Sequence, residues 1–483
     1  MITKNYAKDV TYIWMNHRTF NKRAIALNNE ERFNHTYIIW KQDSYKKNLV
    51  YSMMLQDAWT NNNWFCVIDE YWEYTENFLK HIPKERAKDL VYFDAGNEDR
   101  FMGINLYDIS SLDEASTVVE YTTEMFLKIF WPEIFGPRIQ EYFKYASLAL
   151  LEDFEDKPSF LDITRMFTDD AFREEKLSKV TNPIVIDWWE RTYNAMGNRE
   201  KAEIIPYFSS KFIQFTTNWQ IRNIIWQTRS AFNFNDIIDN KNILLINLAK
   251  DKIWETSASI LGMILTYKLK LELAKRAHLS KEDKNPFFLY INNFQYILWT
   301  SYDNRLKTAK ENKIWMILIH DFIEQIDTKN KEKDIHDILN NSWNICIFNT
   351  FWKNAEFFSK EFPSISKKDL DNLKEKEFIF KQSNEEPLKI KCYNNASWPV
   401  LPKIEPLLKE YCSKKYWRAK AYIEAEFYTK YWIPTEIIEL PGRKPEVKII
   451  KKTITTKTRE KAQEVKNKEP KKQVRRKSIK KWA

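Results

Sequence analysis

The sequence predicts an α/β fold: a parallel sheet interrupted by an all-helical insertion and followed by a Lys/Arg-rich tail. Three observations carry the prediction. Short apolar runs alternate with helix-length amphipathic stretches at both ends of the first 400 residues, the pattern of strands joined by crossover helices. Residues 111–235 lose the short apolar runs and keep only helical spacing. From Arg443 onward the chain holds seventeen Lys/Arg and four Glu, whereas the remaining 442 residues carry 60 basic and 63 acidic groups. The net charge of +10 therefore belongs to the tail and not to the body.

In chain order, residues 1–110 form the first part of the α/β core. Strands are expected at Tyr37–Ile39, Phe65–Asp69 and Leu90–Phe93, with helices at Lys46–Trp59 and Glu73–His81. Residues 111–235 are the helical insertion, with helices at Glu114–Phe130, Arg138–Glu152 and Phe160–Phe172. Residues 236–400 resume the core. Strands are expected at Ile243–Asn247, Phe287–Ile291, Met316–Ile319 and Ile345–Phe348, and helices at Thr256–Ala274 and Tyr302–Glu311. Phe378–Phe380 and Leu388–Cys392 are candidates to close the sheet. Residues 401–442 read as a polar helical region and 443–483 as a disordered basic tail with little to bury. Its clusters, Lys471-Lys472 and Arg475-Arg476-Lys477, suit an arm that tracks phosphates of DNA or RNA. A solubilising tail without a specific partner is the other reading.

Several classes are excluded. No apolar run reaches the roughly 18–20 residues of a membrane span, and the N-terminus lacks the apolar core of a signal peptide, so a cytoplasmic protein is expected. Cys66, Cys346, Cys392 and Cys412 have no metal-site spacing and read as reduced thiols. No metal-ligand set is expected.

The composition carries one anomaly: 19 Trp against 6 Gly. Many of the tryptophans stand where a turn would need glycine, as in Asn61-Asn62-Asn63-Trp64, or where a strand meets a helix, as at Trp40 and Trp72. A gene that reads UGA as glycine, translated with UGA as tryptophan, would produce this pattern. Trp188 and Trp189, on an amphipathic stretch, read instead as core aromatics.

With Trp40 taken as glycine, Trp40-Lys41-Gln42-Asp43-Ser44-Tyr45-Lys46-Lys47 lies over G-x-x-x-x-G-K-[ST], a phosphate loop between a strand and a helix. A second motif, Leu289-Tyr290-Ile291-Asn292-Asn293-Phe294-Gln295, has the shape of an apolar strand ending in the acidic pair of a nucleotide-hydrolysing site. Together with Val67-Ile68-Asp69-Glu70-Tyr71-Trp72, Ile221–Ser230, Ile243–Lys250, Ile319-His320-Asp321-Phe322 and Asn354–Phe362, these stretches resemble the TraG/TraD-type coupling proteins of type IV secretion and conjugation, within the FtsK/HerA superfamily of DNA-translocating ATPases. Trp14, Trp40, Trp64, Trp72, Trp226, Trp254, Trp315, Trp343 and Trp417 then fall on family glycines.

The resemblance implies a RecA-like P-loop NTPase sheet, ATP and Mg²⁺ as ligands, DNA as partner and a homo- or hetero-hexameric ring. It also implies work beside a membrane-bound secretion machine at the inner face of the membrane, with no small-molecule substrate beyond nucleotide. The nucleotide site would comprise Trp40, Ser44, Tyr45, Lys46 and Lys47. Tyr45 replaces the second loop glycine, and Lys47 replaces the hydroxyl that holds Mg²⁺. Asn292 and Asn293 replace the Asp-Glu pair that holds the metal's water and activates the attacking one. Asn349 stands where a trans-acting arginine is expected. Lys46, Gln295 and His320 survive, although a polar pair at strand ends is as easily structural. The resemblance with these losses implies a pseudo-ATPase that binds nucleotide weakly or not at all, with a weakly active translocase as the alternative.

Overall fold

The computed structural model describes residues 9–15, 24–39, 45–297, 302–326, 331–349, 352–374, 376–391, 398–430, 433–440 and 442–450. The chain divides into a large unit, Met1–Lys420, and a small one, Ala421–Ala483.

The strands of the large unit are β1 (Val10–Met15), β2 (Ala24–Asn28), β3 (His35–Ile39), β4 (Phe65–Asp69), β5 (Leu90–Asp94) and β6 (Arg100–Phe101). They continue with β7 (Ile243–Asn247), β8 (Phe287–Asn292), β9 (Ile314–His320), β10 (Ser342–Phe348), β11 (Glu377–Gln382), β12 (Leu388–Lys391) and β13 (Arg418–Ala419). Nine of them form one sheet in the order β12-β11-β10-β3-β9-β8-β4-β7-β5. From β10 to β5 every pairing is parallel. The two closing strands, β11 and β12, run antiparallel. Every residue of β3, β4, β7, β8 and β9 is buried, which is why they read as continuous apolar runs rather than alternating ones.

The helix Tyr45–Trp59 follows β3 and is pinned to the sheet by a buried ion pair. The Arg32 guanidinium donates to Asp57 Oδ2 at 2.9 Å and to the Tyr290 hydroxyl at 3.0 Å, with the Phe288 ring 4.0 Å from its centre. Each buried charge thus has its partner, the condition under which such a pair is tolerated. The antiparallel pair β1–β2, not expected from the sequence, packs on the same helix: the Tyr12 N–H donates to Gln56 Oε1 at 2.8 Å.

The insertion is all-helical from Ala115 to Asp239 and is held by aromatic rings. Phe126 lies within 6 Å of Phe130, Phe135, Phe143, Phe160, Phe212 and Phe215. Trp188 and Trp189 are buried in a second cluster with Phe167 and Tyr193. The helix expected over Phe160–Phe172 is two, Asp162–Thr168 and Asp170–Leu177. Asp169 divides them because its carboxylate accepts the Phe172 N–H at 3.1 Å as an N-cap.

The helical region expected at 401–442 holds helices Ile404–Tyr416 and Lys420–Lys430 and then a strand, β14 (Thr435–Ile438). β14 pairs antiparallel with β15 (Glu446–Ile449), so the tail expected to be disordered from 443 begins with paired backbone. Gly442 takes φ +75° between them, a conformation that glycine adopts at no steric cost. The tail residues Lys471, Lys472, Arg475, Arg476 and Lys477 lie outside the described residues.

No helix among the described residues is long and apolar enough to cross a membrane. Cys66, Cys346 and Cys412 are buried and form no disulfide among the described residues.

Candidate functional site

The polar residues of the parallel strands collect at one edge. Asp69 ends β4, Asn247 ends β7, Asn292 ends β8 and His320 ends β9. In a parallel sheet this carboxyl edge is where ligands bind. β9 lies between β3, which leads into the phosphate-loop stretch, and β8, which carries the second motif.

The loop itself, including Trp40 and Ser44, lies outside the described residues. Tyr45 and Lys46 open the helix Tyr45–Trp59, their side chains likewise outside the described set. Lys47 is described. Its ammonium forms an ion pair with the Glu73 carboxylate, and each side chain keeps more than a third of its surface exposed.

Asn292 and Asn293 are buried and meet an acidic pair, Asp69 and Glu70, whose place in the motif Val67–Trp72 does not reveal the contact. β4 lies beside β8, with Ile68 opposite Ile291, so Asp69 and Glu70 stand next to the two amides. Asn292 Nδ2 donates to Asp69 Oδ1 at 3.4 Å, and Asn293 Nδ2 donates to Glu70 Oε2. Asp69 Oδ2 also accepts the N–H groups of Tyr74 (2.8 Å) and Thr75 (3.2 Å). Burial pushes the Asp69 carboxyl up to about 6, and the Thr75 and Tyr74 amides pull against that shift. Burial likewise raises Glu70, opposed by Lys250.

Lys250 is the cation of this cluster. Backbone bonds carry the chain after β7 over the end of β4: Leu248 N–H to Asp69 O at 2.9 Å and Lys250 N–H to Glu70 O at 3.0 Å. The ammonium then reaches Glu70 Oε1 at 2.5 Å and Glu255 Oε1 at 2.7 Å, with the Tyr296 ring 4.7 Å away. Burial opposes its charge, but the two carboxylates outweigh burial and raise its pKa.

A cavity of about 390 Å³ opens over these groups, lined among others by Lys47, Glu70, Lys250, Asn292, Asn293 and Asp321. Asn292 Oδ1 and Asn293 Oδ1 have no hydrogen-bond partner. Neither Gln295 nor His320 is among the lining residues. His320 is fully buried behind the edge, its Nε2 bonded to the Tyr37 hydroxyl and its ring 5.0 Å from Phe294. Gln295 is buried with both amide atoms unpartnered. Asn349 donates to Leu373 O at 2.9 Å, a structural bond. Among the described residues no cluster of three or more His, Cys, Asp or Glu is placed to hold a metal.

The order of strands, with the loop strand and the motif strand separated by one, defines an α/β fold of the RecA-like P-loop NTPase class. No sequence-family model and no curated protein matches the chain. Solved structures do. The unbound bacterial conjugative coupling protein TrwBΔN70 matches with TM-score 0.55 at 10% identity, over 83% of this chain and 93% of that one. TrwB in complex with ADP and Mg²⁺ matches with TM-score 0.55 at 11% identity, over 82% and 96%. VirB4 of Thermoanaerobacter pseudethanolicus matches with TM-score 0.52 at 11% identity, over 81% and 97%. The chain therefore has the fold of these proteins.

Proposed function

We propose that the protein is a catalytically degenerate homologue of the type IV secretion coupling proteins. It contributes structure to a DNA-translocation or conjugation machine by binding DNA or an active paralogue. The observation that carries the proposal is the engagement of Asn292 and Asn293 by Asp69 and Glu70. Both amides are neutral and their nitrogens are bonded to the neighbouring strand, so they supply neither the charge of a metal-binding carboxylate nor a base that takes a proton from an attacking water. Lys47, where a hydroxyl should hold Mg²⁺, is committed to Glu73. The cavity's three carboxylates, Glu70, Glu73 and Asp321, outnumber Lys47 and Lys250, a balance unfavourable to a polyphosphate. Binding of ATP and Mg²⁺ is expected to be weak or absent, in contrast to the structural neighbour solved with ADP and Mg²⁺. The hexameric ring and the basic arm on DNA belong to the same proposal.

A second reading, a weakly active translocase, is favoured by one observation: Asp69 and Glu70 supply an acidic pair one strand away from the lost one. ATP turnover by the full-length protein, with Mg²⁺ and DNA present, decides between the two. The expected result is no turnover above that of Lys46→Ala. Turnover abolished by that substitution would establish the second reading and overturn the first.

A further inference from the structure

Glu70, Lys250 and Asn293 converge at the carboxyl edge of the sheet. β4 lies between β8 and β7, and the three residues follow those strands: Glu70 after β4, Lys250 beyond β7 and Asn293 after β8. The Glu70 carboxylate stands between the other two side chains. Its Oε1 takes the Lys250 ammonium at 2.5 Å, and its Oε2 accepts from Asn293 Nδ2. A second contact brings the amine to the same turn, because Lys250 Nζ is 4.7 Å from the ring centre of Tyr296. Glu70 is 3% exposed and Asn293 8%, so water has little access to the group. Asn293 Oδ1 has no hydrogen-bond partner, which leaves the amide held through its nitrogen.

We propose that Lys250 and Asn293 become joined by a side-chain amide, with Glu70 as the proton carrier. Lys250 Nζ gives one proton to Glu70 and attacks Asn293 Cγ. The Nζ–Cγ bond forms, the Cγ–Nδ2 bond breaks, and Nδ2 takes the proton from Glu70 and leaves as ammonia. Glu70 then removes the second Nζ proton and releases it to solvent. No electrons are gained or lost overall, and no co-reactant is needed. The carboxylate touches both the nitrogen that must lose protons and the one that must gain one. Holding amine and amide together replaces chemical activation of the amide. Glu70 and Glu255 raise the Lys250 pKa and keep the neutral amine scarce, so the reaction is slow. It need occur only once per chain, and loss of ammonia makes it one-way. An Asp at 293 would present an ionised carboxylate, a poorer electrophile than the amide found there. The reaction requires neither nucleotide nor metal, so it stands apart from whether the site turns over ATP.

Intact mass spectrometry of the full-length protein with this sequence, fresh and after long incubation at neutral pH, tests it. The incubated protein is expected to fall short of its sequence mass by one ammonia. A protease digest should then yield the peptides containing Lys250 and Asn293 as one joined species. Lys250→Arg, which keeps a cation for Glu70, should restore the full mass. Asn293→Gly should do the same, since glycine accepts the φ of +55° that Asn293 holds. Glu70→Gln, which removes the proton carrier, should leave most chains unjoined. If the variants do not fold, the digest of the wild-type protein carries the test alone. The full mass with the two peptides recovered apart, a deficit that persists in Lys250→Arg as asparagine cyclisation would give, or an unchanged yield in Glu70→Gln would overturn the proposal.

Discussion

Trp254 holds φ +73° and ψ 146° ahead of the helix Glu255–Arg276, a backbone region where a Cβ collides and glycine does not. Its indole is 78% exposed, so burial offsets little of that strain. Among the described tryptophans that fall on family glycines, it alone has a left-handed φ. Trp72, at φ −177°, lies outside the left-handed region that favours glycine. Trp315 is buried in β9 with its ring 5.3 Å from Phe33, although its indole N–H has no partner. The recoding hypothesis therefore has its sharpest test at 254. Trp254→Gly is expected to stabilise the protein by about 1–3 kcal/mol in denaturant unfolding, and Trp254→Ala, which keeps the Cβ, by much less. Equal effects of the two substitutions would remove the strain argument, and a UGG codon at this position would remove the recoding.

At the scale of elements, His35 shows how β3 is fixed to its neighbours. Its Nδ1 accepts the Met316 N–H at 3.0 Å and its Nε2–H donates to Leu306 O at 2.8 Å, so the ring must be neutral. Burial lowers its pKa to about 4, with Lys310 acting in the same direction and the Leu306 carbonyl against it. In the unfolded chain the ring takes up a proton near pH 6.5, whereas the folded chain resists until about 4. The neutral ring's contribution is thus intact above 6.5 and is lost as pH falls towards 4, a change of about 3 kcal/mol. Unfolding free energies measured across that window should fall with acidification in the wild type and fall less in His35→Gln; parallel curves would contradict the assignment. Such elements were legible where their residues are wholly buried: β4 and β7 have the bounds their apolar runs predict. The pair β1–β2 and the helices Lys331–Asn341 and Trp352–Glu361 were missed, because short or weakly apolar segments take their structure from packing partners that sequence spacing does not reveal. The candidate site was half legible for the same reason. Asn292 and Asn293 stood out as departures from a motif. Their partners Asp69 and Glu70 lie 223 residues earlier and become neighbours only through the strand order.

At the scale of the whole molecule, charge separates what the fold does from what the tail can do. The residues before 443 are close to neutral, and the described part of the small unit extends the ordered chain through the β14–β15 pair to residue 450. Residues 451–483 then carry fourteen Lys/Arg against three Glu. Binding to DNA through such a segment would be dominated by counterion release, with the logarithm of affinity falling by about 0.9 per phosphate contact for each logarithm of salt. A truncation should start at 451, since a cut at 443 would also remove β15 and leave the edge of β14 unpaired. With DNA held by the tail, the truncated protein should lose most of its affinity, and its salt slope should shrink by several contacts. Filter binding or fluorescence anisotropy across a salt series measures both quantities. Unchanged affinity and slope after truncation would instead place the DNA-binding surface on the folded part, which, near neutral overall, would have to concentrate its Lys and Arg on one face to hold phosphates at all.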